Sequence, residues 1–283
     1  MSNQIIHQAC KDLDVELLRS ALYAGADPNA KDEDGSTPLF YVVDRSPWFD
    51  VHRSQYMPRY DRIECLRLLL AHGASPNLRC TARRMDHAYE NVVLDYQPYI
   101  HHAANVGDEQ ILSMLLAAGA DVDATFYDGR TALHQAVICN LYSLECIKVL
   151  IDAGANVNAT IQGFPTAQTV GPDFYTPAQL ALNLAARMPG NAGWDPELAY
   201  RQRRLLPLLF SAGARVPPGP ESPDAPDSEG RRYNARVLAA GGWAKYEGAH
   251  RARLTKTFAS KFPYLPEEMV SKVVSYAFHT GWY

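Results

Sequence analysis

The sequence predicts an all-α solenoid of about five helix-turn-helix units, with long insertions and a helical C-terminal extension. Three observations predict it: a helix ending that recurs five times, a turn-and-cap element ahead of the helices, and a break rich in proline and acids that further amphipathic helix follows. The recurring ending reads Ala24-Gly25-Ala26-Asp27-Pro28-Asn29, His72-Gly73-Ala74-Ser75-Pro76-Asn77, Ala118-Gly119-Ala120-Asp121-Val122-Asp123, Ala153-Gly154-Ala155-Asn156-Val157-Asn158 and Ala212-Gly213-Ala214-Arg215-Val216. An apolar helical face precedes each copy, from Leu17-Leu18 with Ala21-Leu22 in the first to Leu205-Leu206 with Leu208-Leu209 in the last. Glycine at this point takes the left-handed conformation that closes a helix, and the small alanine beside it allows close stacking.

The second element is Asp34-Gly35-Ser36-Thr37-Pro38-Leu39, Asp128-Gly129-Arg130-Thr131-Ala132-Leu133-His134 and Tyr175-Thr176-Pro177-Ala178, with a degenerate copy at Pro98-Tyr99-Ile100-His101. Asp-Gly makes a tight turn. The threonine hydroxyl can accept from an unpaired amide of the next helix, and proline fits the first helical position because its missing N–H is not needed there. Each unit is therefore turn, helix, loop, helix.

These T-P-L-H-like starts and G-A-D-V-N-A-like endings resemble the ankyrin-repeat family over residues 4 to about 216, with the best unit at Tyr127 to Ala159. The resemblance implies a stack of helix pairs whose turn tips and first helices form a concave binding face. The closing glycines depart from the family pattern, because they are separated by 48, 46, 35 and 59 residues, against a usual period of about 33. Insertions near 45–60, 78–97 and 188–200 account for the excess and carry Trp48, Phe49, Tyr89, Tyr96 and Trp194. Loop insertions of this kind go to the surface of a solenoid.

The domains expected are the repeat region 1–216, a linker at 217–230 reading PPGPESPDAPDSE in its larger part, and a helical extension or cap at 231–283. Helices are expected at Arg236 to Lys245, His250 to Phe262 and Pro266 to Phe278. A solenoid needs a terminal cap in any case. The segment Phe262-Pro263-Tyr264-Leu265-Pro266-Glu267-Glu268 is also similar to the L-P-x-E opening of F-box-like boxes and to the L-P end of suppressor-of-cytokine-signalling boxes. That similarity implies docking to a cullin-type ubiquitin ligase through Leu265, Pro266, Met269 and Val273, although only 17 residues follow Pro266.

Chemistry beyond binding has little support. A net charge of −4, from 27 basic and 31 acidic residues, leaves no electrostatic footprint for nucleic acid. Five cysteines without a C-x-x-C pair read as reduced thiols, with Cys65, Cys139 and Cys146 as small buried apolar residues. No phosphate loop or nucleophile with a base is visible, and neither an apolar signal core nor a membrane span is present, so a protein of the cytoplasm or nucleus is expected. No cofactor or metal is expected. His101-His102 could suggest zinc, yet adjacent helical positions diverge by about 100 degrees, and the resemblance gives His101 and His134 the place whose imidazole bonds turn backbone. His102 reads as an ordinary helical residue.

The function expected is a non-enzymatic protein-interaction module, with a ubiquitin-ligase adaptor as the alternative. Partner contacts are assigned to Glu33, Asp34 and Ser36 in the second unit, Trp48 and Phe49 in the first insertion, Tyr127, Asp128 and Arg130 in the fourth unit, and Phe174 and Tyr175 in the fifth. Aromatic residues, Tyr99 among them, are read as concentrated in turns and insertions. Asn158, in the family's V-N position, resembles sites hydroxylated by asparaginyl hydroxylases.

Overall fold

The computed structural model describes residues 2–43, 59–79, 98–126, 129–138, 144–162, 174–186, 196–218 and 229–279. The chain divides into two compact bodies, 1–156 with 161–174, and 157–160 with 175–283.

The first body contains the first four repeats. Their first helices are α1 (Ser2–Asp12), α3 (Pro38–Val43), α5 (Tyr99–Val106) and α7 (Ala132–Ile138). Their second helices are α2 (Val15–Tyr23), α4 (Arg59–Ala71), α6 (Glu109–Ala117) and α8 (Leu144–Asp152). First helices pack on first helices and second on second, so α1, α3, α5 and α7 form one row and α2, α4, α6 and α8 another. The core runs between the rows through Leu18, Leu39, Leu66, Leu69, Ile100, Ile111, Leu112, Leu115 and Leu133, all with at most 1% exposure. Burying one such side chain is worth roughly 1.5–3 kcal/mol. Helices of six to nine residues would not persist alone, so this packing holds them.

The helix ends follow the sequence pattern. Gly25, Gly73, Gly119, Gly154 and Gly213 have φ between 82° and 91°. The next alanine amide reaches back five residues, as in Ala26 N to Ala21 O (3.0 Å), Ala74 N to Leu69 O (2.9 Å) and Ala120 N to Leu115 O (2.9 Å). This is the paired closing turn that satisfies the last helical carbonyls. A Cβ on any of these glycines would meet nothing within 4 Å, so the requirement is the backbone angle and not space.

Caps differ more than the sequence implies. Thr176 is the expected one, accepting from Gln179 N (3.3 Å) while Gln179 Oε1 accepts from Thr176 N (2.9 Å). Thr37 instead pairs its hydroxyl with Tyr99 OH at 2.5 Å. Tyr99, read from sequence as a turn aromatic, is fully buried in α5. That hydroxyl contact gives its polar end a partner and lets the ring serve as core. Cys65 and Cys146 are buried free thiols, as expected, and Cys10 joins them. Burial pushes the Cys65 thiol up to about 12. Cys139, with Cys80, lies outside the described residues.

An interaction that the sequence did not announce closes α3. Arg62 of α4 is 5% exposed and donates from Nε to Val42 O and from Nη2 to Val43 O, both at 2.6 Å. Its Nη1 donates to Asp108 Oδ2 at 3.3 Å. Asp108 in turn caps α6 by accepting from Ile111 N. One guanidinium therefore terminates a helix of the second repeat and balances the cap of the third.

In the second body, α9 (Pro177–Ala186) and α10 (Pro196–Ser211) form the fifth repeat, and α11 (Glu229–Ala239) packs on both. Phe210, Tyr233, Trp243 and Tyr246 form a cluster with ring centroids 5.5–6.4 Å apart. His250 stacks on Tyr246 at 5.8 Å and accepts from Arg253 at 2.6 Å. Burial, then Arg253 and Arg236, hold its pKa below the usual value, which keeps the ring neutral for that bond. Then α12 (Trp243–Lys261) and α13 (Glu267–His279) pair through Leu254 and Ala259 against Val270 and Val274. The expected break between Lys245 and His250 is wrong. Gly241 and Gly242, at φ 82° and 109°, end α11, and one helix runs from Trp243 through to Lys261. Two short strands, β1 (Ile161–Gln162) and β2 (Phe174–Tyr175), complete the described elements.

Arg62→Met should lower stability by about 3 kcal/mol or more in chemical denaturation, because it removes the counter-charge of the buried Asp108 carboxylate and the donors to two helix-end carbonyls. Adding Asp108→Asn should return part of that loss; no recovery would mean that the lost counter-charge is not the cause.

Candidate partner-binding face

The described backbone bonds of the turn tips ahead of α3 and α7 match. In the second repeat Asp32 N donates to Ser36 O (2.9 Å) and Gly35 N to Asp32 O (3.0 Å). In the fourth, Phe126 N donates to Arg130 O (2.8 Å) and Gly129 N to Phe126 O (3.0 Å). Gly35 and Gly129 sit at φ 76° and 81°, where a side chain would be strained.

Different side chains lock the two tips. Asp32 Oδ1 accepts from Asp34 N (3.0 Å) and Ser36 N (2.9 Å), while Oδ2 accepts from Tyr41 OH (2.6 Å). Lys11 Nζ stands 3.9 Å from that carboxylate and 4.5 Å from the centre of the Tyr41 ring. Burial, reinforced by the Asp32 hydrogen bond and charge, raises the Tyr41 phenol above its ordinary range. Glu33 and Asp34 are left exposed on this fixed loop. Ser36 is not available with them. It is 2% exposed, and its carbonyl accepts from His7 Nε2 at 3.1 Å, so the expectation of a partner contact there is corrected.

On the fourth tip the Arg130 guanidinium lies 5.4 Å from the Phe126 ring centre and donates to Gln135 Oε1 at 3.4 Å. Gln135 Nε2 passes the chain on to Asn105 Oδ1 at 2.7 Å. His101 Nε2 donates to Arg130 O at 2.8 Å, and His134 Nδ1 accepts from Thr131 N at 3.3 Å. A carbonyl can only accept and an amide only donate, which fixes the role of each ring nitrogen. Both histidines thus bond turn backbone, as the resemblance implies. Tyr127 and Asp128, with Trp48 and Phe49, lie outside the described residues.

Tyr41, His102 and Gln135 form a row that sequence reading missed. Each stands four residues after the residue closing its turn, Thr37, Pro98 and Thr131. The register of the repeats carried that signal. His102 is half-buried with its edge on Phe40 at 5.8 Å. In the second body Tyr175 is half-buried, and the Phe174 side chain lies outside the described residues. Asn158 donates to Gly213 O (3.1 Å) and accepts from Arg215 N (2.8 Å), so its carboxamide is engaged on both sides. Leu265, Met269 and Val273 are 48%, 50% and 63% exposed, and Pro266 is exposed with them. Among the described residues no three His, Cys, Asp or Glu side chains gather closely enough to hold a metal, and no helix is long and apolar enough to cross a membrane.

Three family models match the chain: ankyrin repeats in three copies at 59–161, ankyrin repeats in many copies at 6–49, and a single ankyrin repeat at 34–81. The B-cell lymphoma 3 protein homolog of Mus musculus is 28% identical over 223 residues, 75% of this chain and 43% of that protein. The SH3 and multiple ankyrin repeat domains protein 2 of Homo sapiens is 31% identical over 154 residues, 53% of this chain and 7% of its own length. The nuclear factor NF-kappa-B p105 subunit of Gallus gallus is 44% identical over 66 residues, 22% of this chain and 6% of its own length. The chain spans less than half the length of these relatives.

Asp32→Ala should cost about 2 kcal/mol and Tyr41→Phe about 1 kcal/mol, since each removes bonds that fix the second tip. The double variant should fall short of their sum by about 1 kcal/mol. Strict additivity in urea titrations would show that the two residues do not hold the tip together.

Proposed function

We propose that this chain, which belongs to the ankyrin-repeat family, is a non-enzymatic interaction module that binds a partner protein through its turn tips and the first-helix row. The observation that carries this reading is the locking of the tips before any partner arrives. Glu33 and Asp34 ride on a loop fixed by Asp32 and Tyr41, and the Arg130 side chain is held by Phe126 and Gln135. Loops already ordered lose little conformational entropy on binding. The tips differ in charge, acidic at Glu33 and Asp34 and basic at Arg130, so the partner should carry the complementary order.

A second reading, the ligase adaptor, draws on one observation in the tail: the exposed apolar residues Leu265, Met269 and Val273 stand at helical spacing. Under that reading they dock a cullin-type scaffold.

The double variant Glu33→Ala, Asp34→Ala should keep its Tm within a few degrees, about what surface changes allow, and lose the protein that co-purifies with the unaltered chain. Equal recovery of that protein would sink the reading. For the tail, Met269→Glu with Val273→Glu should abolish co-purification of a cullin scaffold; a chain that captures no such scaffold even unaltered removes the adaptor reading.

A further inference from the structure

Three of the closing turns are held by one kind of side chain from the sequence before them. Asn29 donates through Nδ2 to Gly73 O (2.9 Å) and accepts through Oδ1 from Ser75 N (2.8 Å). Asn77 repeats this on the next closing turn, donating to Gly119 O (2.9 Å) and accepting from Asp121 N (2.8 Å). Asn158 does the same within the second body. A carboxamide is suited to the task because it offers a donor and an acceptor side by side.

The third repeat has Asp123 at this place. Its Oδ1 accepts from Asn156 N at 2.9 Å, as the register requires. An ionised carboxylate has no hydrogen to give, so Gly154 O, on an exposed turn, receives no donor from Asp123. The first-helix side of the same joint is fully tied, by His101 Nε2 to Arg130 O and by Gln135 Nε2 to Asn105 Oδ1. The two earlier joints are tied on both sides. The first has His7 Nε2 against Ala30 O and Ser36 O, and the second has Thr37 with Tyr99 and Arg62 with Asp108.

We infer that the closing turn at 153–158 is the least protected closing turn of the first four repeats, because Asp123 holds it by one hydrogen bond where Asn29 and Asn77 hold theirs by two, while the helices of that joint pack as those of the earlier joints do.

Native-state hydrogen exchange of the full chain, read by mass spectrometry, tests this. The turn at 153–158 should exchange about fivefold faster than the turn at 118–123, the size expected from one missing hydrogen bond. Asp123→Asn should slow the 153–158 turn to the level of its neighbour. Asn77→Asp should in turn quicken the 118–123 turn by a similar factor and leave 72–77 unchanged. Equal protection of the two turns in the unaltered chain, or indifference of 153–158 to Asp123→Asn, overturns the inference. Should Asp123→Asn fail to fold, the Asn77→Asp arm decides: faster exchange confined to 118–123 supports the inference, and unchanged exchange there defeats it.

Discussion

A helix pair that exposes apolar surface on both sides is stable only between neighbours, so this chain depends on how each closing turn is captured by the repeat before it. Glycine opens the turn at positive φ, and that leaves a carbonyl and an amide pointing outward at fixed spacing. A carboxamide from the previous repeat fits both. Because the two groups lie two residues apart, as Gly73 and Ser75 or Gly213 and Arg215 do, one side-chain type serves three of these turns, and Asp123 stands in its place at the fourth. The helix rows then stack in register, and the core residues between them meet without further instruction.

The turn tips are held by a different set of groups. The tip backbones of the second and fourth repeats are alike, but Asp32 with Tyr41 locks one and Arg130 with Phe126 and Gln135 the other. Their described backbone bonds match, and their side chains make them chemically distinct.

That division also explains what could be read from the sequence. Gly25, Gly73, Gly119, Gly154 and Gly213 were legible because glycine takes their backbone angle without strain. His101 and His134 were legible through the repeated cap. Ser36 was misjudged because turn position alone does not tell which residues of a tip point inward, and a buried imidazole, His7, draws its carbonyl in. Tyr99 was misjudged because an aromatic residue after an insertion looks like surface until Thr37 supplies a partner for its hydroxyl. The helix break at Gly241-Gly242 was misplaced because the polar run after it continues a helix as well as it would end one. Lys11, Tyr41, His102 and Gln135 needed the repeats to be laid over one another, since no single residue there is unusual.

Arg62 answers a question that the long first insertion raises. In a compact repeat the first helix ends in a short loop whose own backbone satisfies the last carbonyls. Here α3 ends at Val43 and α4 begins only at Arg59. The Val42 and Val43 carbonyls are instead taken by a side chain from the far end of the insertion, one helical turn into α4. A guanidinium can do this because its donors form a rigid fork, whereas a lysine would reach one carbonyl as a point charge. The charge so buried needs a counter-charge, and Asp108, already present to cap α6, supplies it. The end of α3 is thus sealed from α4, and the same side chain ties it to the cap of the next repeat.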